Sequence, residues 1–226
     1  MSFVALALAL LLAPLAQQTP PVQAPVQSSG APGAPVVKPY KINFPVADFS
    51  LPDLSGKEHA LLLENPNKAV VLVFFSYRDP VSRRYVEVLS ALQEKHKDAL
   101  AIVLIDSNQD ELVSGSGDAL EPIRRYLAAE KVALPFFIDR DNKVADDFRA
   151  TANAQAFLLD ANHIVRYVGG IDDDPRGELV KRQQPVTAWL GDAVALVLKG
   201  ERPEHNQTSA AGRVIKRVAP AAGAPR

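Results

Sequence analysis

The carboxylate of Asp79, preceded by Ser76, Tyr77 and Arg78 and followed by Pro80, stands where a long apolar run ends. A carboxylate so placed has three uses: base or nucleophile toward a substrate, cap of a following helix, or charged element of a recognition surface. Capping is the plainest of these. Asp before Pro makes an N-cap and first-turn pair, with the carboxylate accepting from amides near Ser82. Such a cap contributes on the order of 1 kcal/mol. Arg78, Arg83 and Arg84 place positive charge around the same helix start. They read either as a solvated helix face or, with Tyr77, as a candidate rim for an anionic partner or ligand. One chemistry is excluded outright. The 226 residues contain no cysteine, so thiolate attack on a disulfide or a peroxide is not available.

The other reactive residue types form no stronger set. Asp172-Asp173-Asp174 with Asp160 suggests calcium ligands, but the glycine-bearing spacing of an EF-hand loop is absent and turn or cap roles fit better. His59, His96, His163 and His205 lack metal-ligand spacing. Gly115 and Gly117 in SGSGD precede no Lys-Ser/Thr, so they mark a flexible loop rather than a phosphate cradle. No GxSxG elbow is present. Asn206-Gln207-Thr208 fits a glycosylation sequon. No metal and no cofactor is expected.

Charge and patterning set the frame that must position these residues. Phe3 to Ala16 is an apolar run closing in Ala-Pro-Leu-Ala, too short to span a bilayer comfortably, and residues 1–16 read as an export signal. Residues 17–37 carry no charge up to Val37 and form a Pro/Ala/Gln-rich linker. The linker tethers the domain near the membrane only if the signal is retained. Residues 38–217 are long enough for one well-buried domain, and 218–226 read as a disordered tail. A formal net charge of −1 lacks the basic footprint of a nucleic-acid binder. Within the domain, DFSLPDLSG (48–56) predicts an edge strand and turn. AVVLVFFS (69–76) and LAIVLI (100–105) predict central strands covered on both faces. Helices are predicted at 80–97, with Val81, Tyr85, Val88, Leu89 and Leu92 on the apolar side, and at 119–130, 142–149 and 186–199. A short strand is predicted at 135–139 and a hairpin at 155–159 and 164–168. That alternation is an α/β sandwich with a mixed sheet.

In this order, the segments AVVLVFFSYRDPVSRRYVEVLSAL, AIVLIDSN, ATANAQAFLLDANHIVRYVGGIDDD and GRVIKR resemble the redoxin branch of the thioredoxin superfamily. That branch holds alkyl hydroperoxide reductase and thiol-specific antioxidant type domains, and the chain is most similar to its exported thioredoxin-like members over about 44–217. The resemblance implies a thioredoxin-like three-layer sandwich, its mixed central sheet flanked by helices. It also locates a vestigial active site. The family's Cys-Pro falls on Asp79-Pro80, its hydroxyl near the peroxide on Ser76, its Thr-cis-Pro on Asn153-Ala154, and the second cysteine of its Gly-Cys-x-Ile-Lys motif on Arg213. The arginine that such peroxidases place before the hairpin strand is missing near Ala154 and Gln155. A cis bond without proline costs about 3 kcal/mol, so Asn153-Ala154 is predicted to be trans.

The resemblance, less its thiols, leads to a redox-inactive protein of the periplasm or cell envelope that binds a protein or peptide between the Asp79 helix start and the Asn153-Ala154 loop. Two alternatives stay open: an enzyme with non-thiol chemistry, built around Asp79 or on an external thiol or cofactor, and a structural module of an envelope complex.

Overall fold

The chain is described here by a computed structural model over residues 40–113 and 117–218. A short antiparallel pair, β1 (Ser50–Pro52) and β2 (Glu58–Ala60), leads into β3 (Ala69–Phe74), whose every residue is buried. The run AVVLVF has no polar residue to turn toward water, so it needs cover on both faces. β4 (Leu100–Asp106) and β5 (Phe136–Ile138) add to β3 in parallel on one side, while β6 (Gln155–Leu159) and β7 (Val165–Gly169) add antiparallel on the other. The five-stranded order is β5-β4-β3-β6-β7.

Strand pleating divides the core between two faces. Val71, Val73 and Phe75 pack with Tyr85 and Leu89 of α1 (Pro80–Lys95), Ile123 of α3 (Glu121–Ala129) and Val194 of α6 (Trp189–Val197). Val70, Leu72 and Phe74 pack on the other face with Leu51, Leu61, and Val144 of α4 (Lys143–Asp147). The helix–sheet–helix layering and mixed sheet agree with the expected thioredoxin-like α/β sandwich. Leu89 is fully buried, and that burial contributes roughly 1.5–3 kcal/mol.

The differences from expectation are local. The edge strand and turn expected over 48–56 are β1 and the turn after it, where Asp53 accepts from Ser55 N (2.7 Å) and Lys57 N (3.1 Å); the strand β2 that pairs with β1 beyond the turn was not expected. Helix α1 stops at Lys95, and Val88 is exposed; its buried face is Ser82, Tyr85 and Leu89. The helices expected at 119–130, 142–149 and 186–199 occupy 121–129, 143–147 and 189–197, and β7 begins at Val165. Two four-residue helices, α2 (Gln109–Leu112) and α5 (Glu178–Lys181), were not expected. Such segments are too short to show a period. The signal, the linker and residues 219–226 of the tail lie outside the described residues. Among the described residues no helix is long and apolar enough to cross a membrane.

Candidate functional site

β3 delivers the chain into a tight turn held by side-chain hydrogen bonds. Asp79 is the N-cap of α1: its Oδ2 accepts from Ser82 N (3.1 Å) and Ser82 Oγ (3.0 Å). The cap expected from Asp-Pro is therefore present, with Pro80 exposed in the first turn. Ser76 Oγ accepts from Arg78 N and Asp79 N, both at 3.1 Å, and donates to Glu111 Oε1. Asp79 and Ser76 are both buried. A buried carboxylate already bonded to a helix amide and a hydroxyl is positioned as structure; acting as a base would break the cap.

The Asn153-Ala154 turn meets this site from β6. No peptide bond among the described residues is cis, so the bond is trans as expected. Ala154 adopts φ +55°, a left-handed conformation that costs a residue with a Cβ roughly 1–2 kcal/mol. Its amide donates to Phe74 O at 2.7 Å, which ties the strained turn to the end of β3. Asn153 N and Nδ2 both donate to Arg213 O (2.7 and 3.0 Å), and Ile215 N donates to Thr151 O (3.1 Å). Residues 213–215 thus lie antiparallel against 151–153, with Ala152 opposite Val214. Gly212 makes that approach possible. A Cβ there would stand 2.7 Å from Asp79 Oδ2 and closer still to the Asn153 carbonyl. Asp79, Asn153-Ala154 and Arg213 are therefore brought together in one place, although Arg213 enters through its carbonyl and is otherwise exposed. The backbone slot beside Asn153 is taken by the chain's own C-terminal segment.

Beneath the turn lies a group that pattern reading missed. Asp106, at the end of β4, is fully buried, and Glu111 on α2 nearly so. Asp106 Oδ1 accepts from Asn108 N (2.8 Å) and Asn108 Nδ2 (2.9 Å). Asn108 also exchanges side-chain bonds with Asn153, and its Oδ1 accepts from Lys216 N at 3.2 Å. Burial raises both carboxyl groups, and the charge of Glu111 raises Asp106 further. No spacing announced this pair. The signal in the sequence is the polar DSN ending an otherwise apolar strand, with a glutamate three residues beyond it.

The remaining candidates are dispersed. Arg78 bonds Asp110 O (3.0 Å) and stacks on Tyr77, Arg83 pairs with Glu130 at 3.7 Å over Tyr126, and Arg84 pairs with Asp174 at 3.2 Å. Each expected rim arginine thus has an acidic partner or carbonyl of its own, and Arg84 faces the segment before α5. Asp172 accepts from Tyr85 OH, Asp173 from Thr187 N, and Asp174 from Val180 N, which gives the aspartate run turn and cap roles. Asp160 bonds Arg166 at 2.7 Å, and no metal-holding cluster is found among the described residues. His59 lies between Asp53 and Glu64, whose bonds, Glu64 first, raise it. In the sequon, Asn206 O accepts from Val168 N while Thr208 Oγ1 bonds Tyr167 and Gly170 N.

A cleft of about 240 Å³ opens beside Ala154, walled by Tyr85, Ile171, Asp172, Trp189 and Ala210. Larger hollows, of about 440 Å³ at Asp160–Arg202 and 490 Å³ at Tyr40–Asp147, do not touch the assembled positions. The small cleft is the one that continues the site.

Comparison with known proteins agrees with this fold. The model described as AhpC/TSA family matches residues 42–168. The hypothetical protein SMc02350 of Sinorhizobium meliloti 1021 is 28% identical with a TM-score of 0.68, over 80% of this chain and 97% of its own. An uncharacterized conserved protein of Geobacillus kaustophilus is 20% identical with a TM-score of 0.68, over 81% and 95%. A Chlorobium tepidum protein assigned provisionally as thiol:disulfide interchange protein DsbE is 18% identical with a TM-score of 0.50, over 64% and 95%. No match to a curated protein was found.

Proposed function

The chain belongs to the AhpC/TSA family, and on that premise we propose that it is a redox-inactive member of the cell envelope that holds a protein or peptide partner in the cleft beside Ala154. The observation that carries this reading is the fate of the family's reactive positions. They remain assembled, yet Asp79 is spent on a helix cap, Arg213 on a backbone bond, and no cysteine exists anywhere in the chain. Thiol turnover needs a nucleophile that is absent. What stays open at the same place is an apolar cleft with a tryptophan in its wall, the kind of surface that anchors a side chain of a partner. Because residues 213–215 occupy the slot at Asn153, the partner engages through side chains in the cleft rather than by adding a strand there. Export rests on the apolar run at Phe3–Ala16.

Trp189 is the single tryptophan of the chain, so its emission reports the cleft directly. Titrating the full chain with an unfolded polypeptide or an apolar peptide series is expected to shift and saturate that emission. Ala211→Arg, which fills the cleft from its exposed rim, is expected to abolish the shift, while Arg213→Ala preserves it. Equal binding by Ala211→Arg would move recognition to another face. Measurable disulfide or peroxide turnover, in any preparation, would overturn the redox-inactive reading.

A further inference from the structure

Two oxygens under the site have no hydrogen-bond partner: Asp106 Oδ2 and Glu111 Oε2, both on buried side chains. Every other oxygen of the two carboxyl groups is accounted for. Asp106 Oδ1 takes two bonds from Asn108, and Glu111 Oε1 takes the hydroxyl of Ser76. The two groups sit under the same turn, Glu111 bonded to Ser76 and Asp106 to Asn108, and each bears on the ionisation of the other. Unpartnered carboxylate oxygens away from water are strongly unfavourable, and two buried negative charges side by side are worse. A single proton removes both faults, since a carboxyl hydrogen on one orphan oxygen donates to the other. We infer that Asp106 and Glu111 form a one-proton site, with the hydrogen held between Asp106 Oδ2 and Glu111 Oε2.

The surroundings fix where the proton sits and what it does. Asp106 is the acid, because its other oxygen is fully committed as an acceptor and its burial is complete. Glu111 is the acceptor, because the Ser76 hydroxyl already donates to it. The charged groups that face the pair are Arg78 from the turn before α1 and Asp110 from α2. Asp139 after β5 is turned away, accepting from Ser107 Oγ and from Val144 N and Ala145 N. Asp79 is turned to Ser82, and the C-terminal segment presents Lys216 only through its amide. The pair is thus a keystone between the Asp79 turn, reached through Ser76, and the Asn153 and Lys216 backbone, reached through Asn108. Loss of the proton to solvent leaves two like charges across that junction and loosens the contacts that close 213–215 against 151–153.

The sign of the pH dependence follows. Both carboxyls are raised in the folded chain, so the unfolded chain sheds its proton first as pH climbs out of the ordinary carboxylate range. The stabilisation is complete below that range and is lost as pH rises through the folded value. In the window between, the unfolding constant increases by up to about tenfold per pH unit, the limit for one proton. Denaturant unfolding of the full chain across pH, run beside Asp106→Asn and Glu111→Gln, tests this. Either amide donates to the remaining carboxylate in place of the proton, so each variant is expected to fold and to lose that slope. A wild-type slope retained in both would overturn the inference, as would a wild type with no slope in that window. Should one variant fail to fold, the other decides by the same criterion.

Discussion

Two buried acidic regions are linked through Ser76 in this molecule, and they are satisfied in opposite ways. At the upper one, Asp79 spends Oδ2 on the amide and hydroxyl of Ser82, and the carboxylate is consumed by the start of α1. At the lower one, Asp106 and Glu111 each keep an oxygen without a hydrogen-bond partner, which the inferred shared proton satisfies. The carboxylate at the start of α1 serves as scaffold, while the inferred one-proton group lies on β4 and α2. Titratable chemistry follows unsatisfied burial, not the location of a motif.

The largest effect expected from breaking this contrast is at the lower region. Asp106→Ala strips the acceptor from two buried Asn108 donors and should cost about 3 kcal/mol in denaturant unfolding, whereas Asp106→Asn should cost well under half of that. Equal costs would mean that volume, not hydrogen bonding, holds the junction. Next comes Gly212→Ala, which forces a Cβ against Asp79 Oδ2 and the Asn153 backbone. It is expected to lower stability by roughly 1–3 kcal/mol and to speed hydrogen exchange at the Asn153 and Ile215 amides. Protection unchanged at those amides would show that the segment tolerates displacement. At the upper region, Asp79→Ala should lose about 1 kcal/mol and Asp79→Ser much less, because serine is also a good N-cap. A loss as large as that of Asp106→Ala would erase the distinction between the two regions. The smallest effect is expected at the surface. Arg83→Ala removes an exposed pair with Glu130 and should change the melting free energy by less than about 0.5 kcal/mol.

The upper region was legible in the sequence because its determinants are local. Asp79, Pro80 and Ser82 lie within one turn, and the apolar runs of β3 and β4 declare two covered faces without reference to anything distant. The lower region depends on pairs far apart in the chain. Asn108 meets Asn153, 45 residues away, and Lys216, 108 away, and no single window contains them. Helix α2 hid for a related reason. It has four residues, and its N-cap Asn108 makes no capping bond because its side chain is committed to Asp106 and Asn153. Ala154 carried no sign of its φ of +55°, since left-handed turns usually advertise themselves by glycine or asparagine; the constraint comes from its amide bond to Phe74 O. The arginines around α1 looked like one positive rim in the sequence, but acidic residues brought in by other elements divide them among Asp110, Glu130 and Asp174.

The contrast between the two regions comes down to one hydrogen atom, and carboxyl-carbon NMR of the full chain at neutral pH observes it. With aspartate and glutamate side chains labelled and the signals assigned by Asp106→Asn and Glu111→Gln, the account predicts a protonated carboxyl at Asp106 hydrogen-bonded to an ionised Glu111. Two fully ionised carboxylates at neutral pH would contradict it.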